Sequence, residues 1–370
     1  MAIKVASRSN NDIEGIIREI NQPRIKVVIY FFSIEFESSA PQKALKHAFP
    51  DAVCAGMSSV GGYSPAGALD KGIVAMSFSE DEVTKAFVFS STDVKANPLQ
   101  AARSIIENIN RTISRQIDDP GKYLGIIFVD GLCLAEIIMK ELTLNKSLNF
   151  PIVGGAAADE LAFVKTLVGA EENLFANGLV VLVLKMRIPF ICGHYVHFSP
   201  LPESFIVTRS DSDRRILWEL DGLPAAEVYA KAIGLSSVNQ LSTDMFAKHP
   251  LGVVFGNDIY VRDVSSVVDD GKGLVFFCDI QAGTQVHLLK HGDMLAHTRK
   301  LLQDTEQYLP NMEGAILFNC VFRLLELQEL GKNEEYCKLF NPLQFIGCNT
   351  FGEELFMHHN QTLTAVFFGR

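Results

Sequence analysis

The sequence predicts an α/β protein of two domains, with mixed sheets flanked by helices, and an α+β second half as the alternative. Three observations carry that expectation. Strand-like apolar runs alternate with amphipathic helical stretches, and one strand–helix–strand–glycine-turn unit occurs three times. The 370 residues, 48% of them apolar, are also enough for two separate cores.

The first element is helical. In 12–21 (DIEGIIREIN), Ile13, Ile16, Ile17 and Ile20 fall on one stripe, so residues 1–24 read as an amphipathic helix with its linker. IKVVIYFFS (25–33) is β-branched and aromatic without helical polar spacing, hence a strand. Pro41 suits the first turn of the helix PQKALKHAF. DAVCAGMSSVGG then reads as a strand running into a glycine turn, and KGIVAMSFS as a further strand.

The same order returns with GIIFVDG (125–131), LAEIIMKEL, FPIVGGAAADE and NGLVVLVLK. It returns again with GAILFNC (314–320), a helical stretch, FIGCNTFGEE and NQTLTAVFFG. From the first strand to the glycines Gly56, Gly154 and Gly347 is about 30 residues each time, the scale of one strand–helix–strand unit. Internal duplication follows. Between the second and third units lies a different region of strands, a polar turn at SDSDRR and a helix beginning near Pro224. It closes with a helix, DMLAHTRKLLQDTEQYL, capped by Asp293. The boundary is set near residue 190, giving domains at 25–190 and 191–370.

A net charge of -10 and the lack of a dense Lys/Arg run argue against nucleic acid or an anionic membrane as partner. Seven scattered cysteines without a CxxC pair argue against a disulfide framework or a structural zinc, so reduced thiols in the cytoplasm are expected. The start MAIKVASRSNNDIEG lacks a signal-peptide core, and GLVVLVLKMRIPFICG is cut by Lys185, Arg187 and Pro189 before it can span a bilayer.

Several motifs in fixed order resemble the FIST family of sensory domains, over about residues 25–369. FPDAVCAGMSSVGG and FPIVGGAAADE resemble its N-terminal domain. VTRSDSDRRILWELDGLPAAEVY, LFNCVFR, FIGCNTFGEE and HNQTLT resemble segments of its C-terminal domain. The resemblance implies a non-enzymatic ligand sensor in signal transduction. One subgroup of the family binds haem, senses nitric oxide and regulates histidine kinases. No kinase, cyclase or methyl-acceptor segment is seen here, so output in trans to a histidine kinase is expected, with a homodimer as a further possibility for partners.

The glycine turns expose backbone N–H groups at the carboxyl ends of strands, where α/β proteins bind ligands. Ser58, Ser59, Asp159, Asn349, Gly352 and Glu353 are therefore candidate ligand-binding residues, with polar caps on tight turns as the alternative. None has GxGxxG or GxxxxGK[ST] spacing, so a nucleotide is not indicated. Arg323 can pair with a ligand carboxylate or propionate, or else with Glu353 or Glu354. Cys320 beside it is a candidate contact, more readily an inert buried thiol than the nucleophile of a cysteine-dependent enzyme. For haem, His194 or His197 is the favoured axial ligand. They lie three apart on a strand and so cannot chelate one metal together. An amino acid or similar metabolite is the alternative ligand.

Overall fold

The structure is a computed structural model, and it describes residues 3–113, 117–256, 258–268 and 270–370. The fold is mixed α/β. By contacts the chain forms two units. The first comprises Met1–Tyr195, Thr298–His358 and Leu363–Arg370; the second comprises Val196–His297 and His359–Thr362. These units do not follow a linear division near residue 190, because the third repeat belongs with the first two.

Each repeat contributes two parallel strands and one antiparallel strand to its own sheet. In the first, Ile25–Phe32 runs parallel to Val53–Ser58 and antiparallel to Ile73–Ser79. In the second, Tyr123–Val129 pairs likewise with Ile152–Ala156 and Gly178–Met186. In the third, Met312–Cys320 pairs with Gln344–Thr350 and Leu363–Gly369. The helix expected at Pro41 spans Pro41–Ala48, and the one at the N-terminus spans Ile13–Ile20 with Asp12 accepting from the Gly15 amide.

The chain after each parallel pair leaves its own sheet and joins another. The hairpin Gly62–Leu69 pairs with the third repeat, with Tyr63 opposite Gly347. The hairpin Val168–Phe175 joins the first repeat, with Gly169 opposite Gly56. The strand Gly352–Leu355 joins the second, with Glu354 opposite Gly154. The exchange is cyclic and closes after three steps. Each repeat is thereby completed by another, so none has a finished sheet alone.

Both faces of these sheets are covered, which explains strands that are apolar almost throughout. Alternate residues point opposite ways. Val27, Ile29 and Phe31 enter a shared core with Leu124, Ile126, Phe128, Ile316 and Phe318, whereas Val28, Tyr30 and Phe32 pack toward the helices. Gly56, Gly154 and Gly347 lie inside strands, not in turns, and none has a left-handed backbone. They are small because neighbours come close: a Cβ would lie 2.0 Å from Tyr30 O at Gly56 and 1.9 Å from Ile127 O at Gly154.

The second unit is an antiparallel sheet running from Asp258–Arg262 through the long strand Phe198–Asp211 to Val264–Val267. Helices Ala225–Ala232 and Thr243–Lys248 pack on its core, through Ala226, Tyr229 and Phe246.

Candidate functional site

The three parallel ladders share a register, which makes their ends comparable. Phe31 lies opposite Met57, Phe128 opposite Gly155 and Phe318 opposite Cys348. One step toward the carboxyl end, the first repeat pairs Phe32 with Ser58 and the second pairs Val129 with Ala156. The third pairs Asn319 with Asn349. Four residues further on, the first two repeats carry Phe36 and Cys133, and the third carries Arg323.

Arg323 stands in the first turn of helix Val321–Glu329. Its Nε donates to Asn319 Oδ1 at 2.9 Å, and its guanidinium lies 5.8 Å from the centre of the Tyr336 ring. Asn319 Nδ2 donates to Asn349 Oδ1 at 2.9 Å, and Asn349 Nδ2 donates to Val60 O at 2.6 Å. The Tyr63 hydroxyl donates to Asn349 Oδ1 at 2.9 Å, and the Tyr336 hydroxyl reaches Asn319 Oδ1 at 3.3 Å. The Thr350 hydroxyl donates to Glu353 Oε1 at 2.7 Å. Asn319 and Glu353 are 0% exposed, Asn349 1% and Arg323 2%. This is a network of buried polar groups at the carboxyl end of the third ladder.

Burial pushes the Tyr336 and Tyr63 phenols up, in both cases against the opposing pull of Arg323. Both therefore stay protonated and act as donors. An arginine keeps its charge in such a place and presents a planar fork that matches a carboxylate. The network thus gathers one buried guanidinium, two tyrosine hydroxyls and two asparagine amides at a strand end, beside the Glu353 carboxylate.

Of the candidates from sequence, Asn349, Arg323 and Glu353 fall in this network, and Cys320 caps the same helix, buried at its N-terminus. Gly352 leaves room for the His358 ring, which a Cβ would meet at 2.1 Å; that ring bonds Glu354 at 2.8 Å. Ser58 and Ser59 are buried structural hydroxyls. The first accepts from the Leu167 amide at 3.0 Å, and the second donates to Gly61 O at 2.8 Å. Asp159 holds a loop, accepting from the amides of Phe163, Val164 and Lys165 at 2.7–3.1 Å. His194 is half-buried opposite Thr364 in the first unit. His197, in the second, is buried with its ring 4.3 Å from that of Phe198 and 5.5 Å from that of His291.

Sequence reasoning missed Asn319, Tyr63 and Tyr336. Asn319 carried a usable signal, since an amide occupies a position where the sister strands have Phe32 and Val129. The tyrosines come from the exchanged hairpin and from helix Asn333–Lys338, which pattern alone does not bring to this strand end.

Residues 26–223 match the FIST N domain and residues 225–355 match the FIST C domain. The chain belongs to the FIST family. FIST domains are associated with sensing small ligands in signalling and are generally non-enzymatic. An uncharacterized protein of Methanocaldococcus jannaschii is 24% identical to this FIST protein over 341 residues, covering 81% of this chain. The match spans 64% of that relative's length. Among solved structures, a chorismatase is similar at 8% identity, with 100% of this chain and 99% of that chain covered and a TM-score of 0.35, too low to carry any argument. Among the described residues no helix is long and apolar enough to cross a membrane.

Proposed function

We propose that this FIST protein is a non-enzymatic sensor of a small carboxylate-bearing ligand, recognised through Arg323. One observation supports this above the others. The fold is built from three copies of one unit, and only the third buries an arginine with two asparagines at this place, where the first pairs Phe32 with Ser58 and the second pairs Val129 with Ala156. Burying a guanidinium is costly, so an arginine buried at this place in only one copy supports a use beyond folding. A ligand carboxylate would take over guanidinium donors now used within the protein. It would shift the population of the exchanged hairpin that carries Tyr63. An amino acid or a similar metabolite fits that chemistry.

Haem is the second reading, held through an imidazole and independent of Arg323. The residues that would hold it are His197, an imidazole packed against Phe198, or His194, on the strand Phe190–Tyr195. Either would hold the iron through a ring nitrogen, and the bound group would supply the site that takes nitric oxide. A signalling histidine kinase, contacted in trans in the cytoplasm, and a homodimeric state complete this reading. Two measurements separate the ligands. Protein expressed with a haem supply shows a Soret band if haem is bound. Colourless protein titrated calorimetrically with a panel of amino and keto acids gives heat if a metabolite is bound. Neither signal from well-folded protein would sink the sensor reading.

A further inference from the structure

The second unit carries a groove of about 560 Å³ that the Arg323 network does not use. Its floor is set by sheet register. Ile216 and Trp218 are two apart on the strand Ile216–Leu220 and so share a face, and Val275 lies opposite Ile216 on the neighbouring strand. Val267 adds a further apolar wall, while Arg214 and Asp270 are exposed at the rim. Among the described residues Arg214 enters no ion pair; Asp270 Oδ1 accepts from the Lys272 amide at 3.0 Å.

Trp218 is held in position. The Arg209 guanidinium lies 5.4 Å from its ring centre and is itself paired with Glu219 at 3.1 Å. Gly273 runs against the ring so closely that a Cβ there would lie 2.8 Å from it. A fixed indole, four aliphatic side chains (Ile216, Val267, Val268 and Val275) and one cation at the rim form a specific combination. The volume is that of a small-molecule site, and its lining combines an apolar floor with a polar rim of Arg214, Asp270 and Ser266.

We propose that this groove is a binding site for an aromatic monocarboxylate. The ring would lie on Trp218 and the aliphatic floor, where flat apolar surface is best removed from water. The carboxylate would meet the guanidinium of Arg214. Asp270, of opposite sign on the same rim, disfavours a second acidic group on the ligand. The proposal does not rest on the Arg323 reading, and the two sites lie in different units.

The chain has one tryptophan, so a single indole N–H resonance reports on this groove. We would titrate nitrogen-15-labelled full-length protein with benzoate and, in parallel, with benzyl alcohol. Benzoate is expected to shift the indole resonance saturably, with benzyl alcohol at least about ten-fold weaker. Arg214→Gln, an exposed position, should keep the spectrum dispersed and weaken benzoate by about ten-fold. Val267→Asp should weaken both probes. An indole resonance that ignores benzoate, or an Arg214→Gln variant that binds it as the wild type does, would overturn the proposal.

Discussion

The rings of Phe31 and Phe318 meet edge to face, 5.7 Å between centres and 72° between planes. They occupy the same ladder position in two copies of one unit. Phe128 from the remaining copy closes the triangle, 6.1 Å from Phe31 and 6.3 Å from Phe318. The shared core is thus assembled from one aromatic of each repeat, and none of the three can be removed without opening it. Phe31→Ala, Phe128→Ala and Phe318→Ala are each expected to cost about 3–5 kcal/mol, read from urea denaturation. Pairs of these changes should be non-additive, since the rings touch one another.

The strand glycines make a separate prediction. Gly154→Ala places a methyl group against a backbone carbonyl that has no freedom to retreat. A loss of about 3 kcal/mol is expected. Gly121→Ala, whose nearest neighbour would be Asp119 Oδ1 at 3.4 Å, should stay within about 0.5 kcal/mol. Thermal unfolding of both variants beside the wild type checks the contrast.

The repeats were legible because strand, helix and glycine recur at one spacing, and the strands Ile25–Phe32, Tyr123–Val129 and Met312–Cys320 appear where apolar runs place them. The cyclic exchange was not. Gly62–Ser64, read from sequence as the end of a glycine turn, is a strand buried throughout, and nothing local says that its neighbour is Gln344–Thr350, some 280 residues on. Arg323 and Asn349 were legible as polar residues near a strand end; their partners Tyr63 and Asn319 needed that long-range pairing. Asp159 shows the opposite case. Its place after the second strand suggested a cleft, yet its carboxylate is taken up by three amides of its own loop.

Asp263 gives the second unit a pH-dependent stability. It is buried, one oxygen accepts from Gln361 Nε2 at 2.6 Å, and burial pushes its carboxyl up to about 7, against the pull of Gln361, His291 and Arg262. An unfolded chain releases this proton near 3.9. Between roughly 4 and 7 the folded state binds more protons, so its contribution falls as pH rises and levels off above 7. The loss is of order 2–4 kcal/mol. Urea midpoints followed by Trp218 fluorescence should decline across that range in the wild type and lose this part of the slope in Asp263→Asn.

Burial pushes the thiols of Cys54, Cys192 and Cys337 up to about 12, and that of Cys348 well above its usual range. Thiolate is the reactive form, so these four should be alkylated only slowly by iodoacetamide at neutral pH in native protein. One cysteine modified rapidly, with single-exponential kinetics and mapped by mass spectrometry, would favour a cysteine-dependent enzyme instead.

In the proposed function only the third repeat provides a carboxylate site. The most direct measurement is calorimetric titration with the amino- and keto-acid panel, run on the wild type, Arg323→Gln and Glu353→Gln. At least one carboxylate is expected to bind the wild type, and Arg323→Gln to weaken that binding by about 100-fold. Glu353→Gln, which removes a competing negative charge, should keep or strengthen it. A carboxylate that binds wild type and Arg323→Gln equally well, with both proteins folded, would contradict the proposed function.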